Sequence, residues 1–212
     1  MPGAPPRTST ACGDAEPGTP ARILDTAESL FAAQGYAATS VRDIAAAAGL
    51  TAASLYNHFP SKEAIYRAVL ARGLAPLAEM LAGLSAREPG PDATQEMIAA
   101  VMAHFAARPA LARLIQHETL CGGENLRSFA SEWVAPLFET ASEQLARDPR
   151  SPWSAEERPL AVAAWMQLAI GHFVMAPLVE AALPVAPLSD EGIARQTLFL
   201  QKLSRLLLRP PG

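Results

Sequence analysis

The chain has 212 residues, with 17 Lys and Arg against 21 Asp and Glu and a formal net charge of -4. Half of the residues are hydrophobic and 18% are charged, which supports a sizeable core and excludes a charge-rich disordered chain. The two cysteines, Cys12 and Cys121, form no Cys-x-x-Cys pair and no Cys/His cluster, which argues against a disulfide framework or a structural zinc site. We therefore predict no metal and no cofactor.

Residues 1–18 are rich in Pro, Gly, Ser and Thr and contain no apolar run. This composition predicts a flexible N-terminal arm rather than a signal peptide. A cytoplasmic location is the expectation that follows.

The first predicted helix covers about residues 20–34. Thr19 and Pro20 suit a helix start, because proline at the first helical position loses no hydrogen bond. Gly35 is expected to end the helix in a left-handed conformation.

Two short helices follow, near residues 41–48 and 52–59. Ser40 and Asp43 fit a capping box at the start of the first, and Gly49 ends it. Thr51 can cap the second, and Pro60 ends it. Two short helices joined by a glycine-containing turn indicate a helix-turn-helix. On spacing alone, an ordinary helical hairpin remains the alternative.

The fourth helix is predicted from Ser61 to Leu84, with a kink near Gly73 and Pro76. Loops rich in Pro and Gly separate five later helices at about residues 92–107, 109–120, 125–147, 154–183 and 189–208. The last of these carries a wide leucine-rich stripe.

The segment from Leu160 to Val179 holds no formally charged residue and has about the length of a membrane span. Gln167, Gly171 and His172 interrupt it, and its flanks show no clear positive bias. A helix buried in protein is the preferred interpretation, and no membrane association is predicted.

Residues 21–70 resemble the DNA-binding domain of TetR-type (tetracycline-repressor family) transcriptional regulators. The pattern lies in Leu30-Phe31, Gly35-Tyr36, the run Thr39–Ala45, Gly49, the run Leu55–Phe59 and Lys62-Glu63. The resemblance covers about 50 residues. The rest of the chain resembles the family only in being helical.

The resemblance implies an all-α fold of about nine helices. A three-helix helix-turn-helix domain would occupy residues 19–66, and a helical ligand-binding and dimerisation domain residues 67–208. The third helix would enter the major groove of an operator, and the last two helices would pair with those of a second copy in a homodimer. The implied function is a repressor that a small, mainly apolar molecule releases from a palindromic operator.

By family position, phosphates would be held by Tyr56, His58 and Lys62. Small residues at the start of the third helix would allow close approach to the bases, and Asn57 could pair with adenine. Tyr56 could instead pack on the fourth helix, and His58 could cap a helix end. The full set of predicted DNA-binding residues is Arg42, Thr51, Ala52, Ala53, Ser54, Tyr56, Asn57, His58 and Lys62. Arg7 in the arm could add a further contact. The near balance of charge over residues 20–72 predicts modest nonspecific affinity.

The later helices contain many aromatic and Met residues, most of which should be core. Some would line an apolar pocket whose few polar groups fix the pose of the ligand. The predicted ligand-binding residues are Met102, His104, Phe105, His117, Trp133, Trp165, Met166 and Phe173.

No nucleophile elbow, phosphate-binding loop or dinucleotide glycine pattern is present, so the chain is predicted not to be an enzyme. Two alternatives stay open. One is a helical ligand-binding or interaction protein whose helix-turn-helix no longer binds DNA. The other is a helical-bundle enzyme that uses His104 or His117, which would need a paired carboxylate or a metal in its pocket.

Overall fold

The computed structural model describes residues 18–122 and 125–207, which form helices and no strand. The all-α prediction with about nine helices is confirmed for this part of the chain. Nearly all of the predicted arm, with Arg7 and Cys12, lies outside the described residues.

The helices keep the predicted order. They are α1 Thr19–Ala38, α2 Val41–Ala47, α3 Ala52–Tyr56, α4 Lys62–Ser85, α5 Pro91–Ala107, α6 Pro109–Cys121, α7, α8 Arg158–Ala182 and α9 Asp190–Leu207. Helix α7 consists of an α-helical segment Asn125–Phe129, a π-helical turn Ala130–Val134 and a second α-helical segment Ala135–Arg147. The sequence analysis predicted one continuous helix here and no π-turn.

Helix α1 is interrupted at Gly35, whose φ of 81° and ψ of 168° are not helical. A further short helical stretch then continues to Ala38. The predicted stop at Gly35 is therefore a break inside a longer element. The positive φ suits glycine because a Cβ would clash with the backbone there.

The start of α2 is fixed by a capping box. The Ser40 hydroxyl accepts a hydrogen bond from the Asp43 amide (3.1 Å), and the Ser40 amide donates to the Asp43 carboxylate (2.8 Å). These bonds from the side chain and backbone of Ser40 lower the pKa of Asp43. The carboxylate thus stays ionised in the first turn of α2, where the helix dipole favours it.

The same local chemistry starts α3 and α4. The Thr51 hydroxyl accepts from the Ser54 amide, and the Ser61 hydroxyl accepts from the Ala64 amide, each at 3.1 Å. Gly49, with a φ of 69°, makes the turn between α2 and α3. The sequence predicted each of these features.

A small core holds α1 to α3 against the first half of α4. Its fully buried members include Ile23, Phe31, Ile44, Leu55 and Ile65. Helix α4 then continues without interruption through Pro76 into the second half of the molecule, where α5 packs on α9 and α8 packs on α6 and α7. The predicted domain boundary at residues 66 and 67 therefore lies within one helix.

Candidate nucleic-acid interface and ligand cavity

The turn between α2 and α3 and the outer side of α3 form an exposed polar edge. Leu55 is fully buried and anchors α3, while Thr51, Ala53, Asn57 and His58 are exposed. Ala52 and Ser54 are half-buried. The edge therefore presents small side chains first and larger polar ones after them, an order that lets a helix approach base edges closely.

Tyr56 does not pack into the core, because its side chain is 51% exposed. Arg42 is exposed on α2 and forms no ion pair with the described residues. Both side chains are therefore free to meet a partner from solvent.

Lys62 is already bound within the protein. Its ammonium donates to the carbonyls of Tyr36 (2.8 Å) and Thr39 (2.9 Å) and lies 4.1 Å from the centre of the Tyr36 ring. Lys62 thus ties α4 to the connection between α1 and α2, a role that sequence reasoning missed. An ammonium has three donors, so one remains for a phosphate.

In the part of the chain that the structure describes, several cations near this edge are already paired. Arg67 pairs with Glu132 of the π-turn (2.9 Å), and Arg72 pairs with Asp25 (2.7 Å) and with the buried Glu28 (2.8 Å). These two arginines stabilise contacts between helices instead of adding to a basic surface.

The second half of the molecule encloses a cavity of about 210 Å³ among α4, α5, α6, α7, α8 and α9. Among the described residues, no charged side chain lines it. The lining is mainly aliphatic and aromatic, and its polar members are Ser85, Thr94, Thr140, Gln144 and Ser204.

Five of the eight predicted ligand-binding residues line this cavity. They are Met102, Phe105, Trp133, Trp165 and Met166. The aromatic and Met enrichment of α5, α7 and α8 was therefore a useful signal.

His104, His117 and Phe173 do not line the cavity. The Nε2–H of His104 donates to the Gly73 carbonyl (2.8 Å), and burial lowers the pKa of the imidazole. His117 packs on Gly35, where its ring fills the space of a Cβ. Phe173 is core, with its ring centre 5.9 Å from that of Phe105.

Sequence reasoning also missed the polar lining. On α4, Leu77, Leu81 and Ser85 recur every four residues, which puts them on one face. That spacing could have placed Ser85 on the same face as the leucines. A single serine among leucines, however, does not by itself indicate a ligand contact.

The outer faces of α8 and α9 carry an exposed apolar surface. On α8 it comprises Leu160, Leu168, Met175 and Leu178. On α9 it includes Leu198 and Phe199, which are 65% and 55% exposed. We call these six residues the α8–α9 apolar face.

Among the described residues, Lys62–Ser85 and Arg158–Ala182 are long and apolar enough to cross a membrane, by length and composition only. The bent pair Asp92–Ala107 and Pro109–Cys121 would be a third such element if it were one span. The first of these helices starts at the polar edge and supplies core residues to both halves of the molecule.

Residues 23–69 match the model of the family described as bacterial regulatory proteins, tetR family. In this segment the chain is similar to the tetR family. The match covers the three N-terminal helices and the start of α4, the region on which the sequence resemblance rested.

Two curated proteins with a similar segment are described as transcriptional repressors or negative regulators. The repressor KstR2 of Rhodococcus jostii is 54% identical over 48 residues, which are 23% of this chain and 24% of that protein. The negative regulator IcaR of the biofilm operon icaADBC in Staphylococcus aureus is 47% identical over 45 residues, 21% of this chain and 24% of that protein. The chain therefore matches about a quarter of the length of these relatives. Both names describe transcriptional regulators, the class of protein that the sequence analysis predicted.

Solved structures share the fold over nearly the whole chain. The fatty acid degradation regulator FadR of Bacillus halodurans superposes with a TM-score of 0.68 at 17% identity and covers 91% of this chain and 96% of its own. Mycobacterium smegmatis AmtR superposes with a TM-score of 0.63 at 24% identity. That match covers 94% of this chain and 99% of the AmtR chain. At this identity the likeness concerns the fold alone.

Proposed function

We propose that this chain is a DNA-binding repressor of the tetR family that acts as a homodimer on a palindromic operator and is released by a small, mainly apolar molecule. Residues 19–66 would read the DNA, and residues 67–208 would bind the ligand and dimerise. The observation that carries the proposal is the exposed edge of α3, held by the buried Leu55 and bordered by the exposed Arg42. A regulator of chromosomal DNA would work in the cytoplasm.

On the operator, we assign base contacts to the start of α3 and phosphate contacts to its end. Thr51, Ala52, Ala53 and Ser54 are small enough for close approach, and Asn57 is exposed where an amide could pair with adenine. Tyr56 and His58 would hold phosphates, and Lys62 would offer its remaining donor. Because few cations in the described part of the chain are unpaired, we expect operator affinity to depend more on the DNA sequence than on the salt concentration.

The α8–α9 apolar face supports the homodimer. Its exposed Leu, Met and Phe side chains are costly to leave in water, and a second copy would cover them. Obligate interfaces of this kind are apolar and often larger than about 2,000 Å². We assign this face to a partner subunit and not to a membrane, because α8 also packs on α6 and α7 within the subunit.

Release by a ligand is supported by the way α4 joins the two halves. The helix begins at Lys62, which is bonded to the α1–α2 connection, and further along it lines the cavity with Leu74, Leu77, Leu81 and Ser85. A ligand that shifted α4 would move the two reading helices of a dimer relative to each other, and their separation must match the groove spacing of about 34–36 Å. The ligand must favour the state that cannot bind DNA, with a typical coupling of roughly 1–3 kcal/mol.

Footprinting of the purified protein on the promoter region beside its own coding sequence tests operator binding. We expect protection with two-fold symmetry. Tyr56→Phe should weaken binding to all protected sequences alike, because a phosphate contact carries no sequence information.

Protection without two-fold symmetry would contradict the proposal that a homodimer binds a palindromic operator. If no DNA segment is protected, the alternative of a helical ligand-binding protein whose helix-turn-helix does not bind DNA would be favoured. The scarcity of unpaired cations near α3 is the observation on the side of that alternative.

A further inference from the structure

The cavity is long, and its two ends differ in polarity. Along α4 its lining runs from Leu74 to Ser85, and along the antiparallel α5 it runs from Phe105 to Thr94. Each pair is eleven positions apart, which is about 16 Å at a rise of ~1.5 Å per residue. The Leu74–Phe105 end is apolar, while the Ser85–Thr94 end collects the hydroxyls.

Most polar groups at the Ser85–Thr94 end already have partners. The Thr94 hydroxyl donates to the Gly90 carbonyl (3.2 Å). The Ser204 hydroxyl donates to the Gln201 carbonyl (2.9 Å) and accepts from the Gln95 amide (2.9 Å). Gln144 accepts from the Arg147 guanidinium.

Ser85 differs from these residues. It is only 7% exposed, and its hydroxyl is buried with no hydrogen-bond partner among the described residues. Its backbone carbonyl accepts from Arg147, so the residue is held in place while its side chain stays unpaired. A buried hydroxyl without a partner carries a desolvation cost, so a ligand that supplied the missing bond would gain affinity there.

The lining also selects against charge. The described residues put no charged side chain in the lining, so a carboxylate placed there would lose its hydration without gaining a paired cation. Arg147 is near Ser85, but its guanidinium is bonded to the Ser85 carbonyl and to Gln144.

From this geometry we propose that the cavity takes a neutral, elongated amphiphile, whose single hydroxyl or carbonyl group bonds to the Ser85 hydroxyl while its apolar body extends towards Phe105 and Leu74. The inference rests on the proposed ligand-binding function and adds the chemical class of the ligand and its anchor. Trp133 and Trp165 flank the apolar body and report its arrival.

The test titrates the full chain with octanol, octanoate and octane and follows Trp fluorescence. We expect octanol to bind more tightly than octanoate. Ser85→Ala should weaken octanol binding about three- to tenfold, the range of one neutral hydrogen bond, and leave octane binding unchanged. Ser204→Ala is the matched control, because it removes a hydroxyl from the same lining that already has partners.

A separate measurement shows whether the Ser85 hydroxyl has a structural role. Without ligand, Ser85→Ala should unfold at the same or a higher temperature than the parent, because it removes an unpaired buried hydroxyl.

Several results would overturn the inference: tighter binding of octanoate than of octanol, no fluorescence response to octanol up to its solubility, or equal octanol affinity in Ser85→Ala and the parent protein. Operator affinity, measured in parallel, distinguishes a failure of the ligand assignment from a failure of the proposed repressor function. If octanol binds through Ser85 but operator affinity does not change, release by such ligands fails while the assignment of the site stands.

Discussion

Lys62 shows how one residue can serve the fold and the proposed function together. Its ammonium holds the carbonyls of Tyr36 and Thr39, and Thr39 in turn donates its hydroxyl to the Gly35 carbonyl (2.8 Å). The connection between α1 and α2 is thereby fixed from both sides, which positions the capping box that starts α2.

We expect Lys62→Ala to lower the free energy of unfolding by about 1–2 kcal/mol, because two charge-assisted hydrogen bonds are lost from a half-buried site. Urea unfolding measures this effect. If Lys62 also holds a phosphate, the slope of operator affinity against salt should fall by about one. Arg113→Ala is the control, because Arg113 is an exposed cation of α6 that lies outside the α8–α9 apolar face. An unchanged slope with lowered stability would assign Lys62 to the fold alone.

His104 should make stability depend on pH. Burial lowers its pKa in the folded protein below the ordinary value of 6.5, so the unfolded chain takes up a proton at a higher pH than the folded one. The stability from neutral His104 is complete above about pH 6.5 and decreases as the pH falls from there towards the lowered pKa.

We therefore lower the pH from about 7.5 to about 5.5, a range that spans the ordinary histidine pKa. Over this range the free energy of unfolding should decrease less in His104→Gln than in the parent protein. Glutamine can still donate to the Gly73 carbonyl but does not titrate. Urea unfolding at both pH values measures the difference. Equal losses in the two proteins would show that His104 does not govern this window.

At the scale of elements, the two halves of the molecule meet where α1 and α4 pack against α6. The contact is close at two glycines. His117 of α6 occupies the space beside Gly35, and a Cβ at Gly73 would lie 2.8 Å from Leu111 Cδ1. The buried Glu28 pairs with Arg72 of α4 and approaches Arg108 at the start of α6 (3.5 Å). These contacts couple the N-terminal helices to the cavity-forming helices.

Gly73→Ala tests the closeness of α4 and α6. The new methyl group would displace the buried Leu111, and overpacking of this kind typically costs about 1–3 kcal/mol of the free energy of unfolding. Gly83→Ala is a matched control in the same helix. Nothing lies within 4 Å of its new Cβ, so it should stabilise α4 by up to about 1 kcal/mol. Urea unfolding measures the free energy of unfolding of both variants. Equal values for the two would rule out the tight contact between α4 and α6.

At the scale of the whole molecule, the α8–α9 apolar face makes the proposed homodimer testable. Leu203 is half-buried against its own subunit, whereas Leu198 is 65% exposed, so Leu198 is the better probe.

Leu198→Glu should shift the protein to monomers and weaken operator binding, because it places a charge in an apolar interface. Leu120→Glu is the control, since Leu120 on α6 is 76% exposed and outside that face. Sedimentation measures the oligomeric state, and circular dichroism checks that both variants are folded. A folded monomer in the parent protein would refute the homodimer.

The sequence by itself determined where the N-terminal helices begin, although α1 continues past its predicted end at Gly35. The limits of these helices depend on local chemistry, such as the bonds of Ser40, Thr51 and Ser61 and the positive φ of Gly35 and Gly49. Local interactions of this kind are set by neighbours in the chain and can be recognised there. Most of the cavity-lining aromatic and Met residues also followed from composition.

The tertiary structure alone decided which polar groups meet partners. Nothing near His104, His117 or Lys62 in the chain shows that they contact Gly73, Gly35 and the end of α1, because these contacts join residues distant in sequence. The unpaired hydroxyl of Ser85 is likewise visible only once α4, α5 and α7 have packed around it. Hydrogen-bond satisfaction is a property of the packed chain, whereas helix capping belongs to the local sequence.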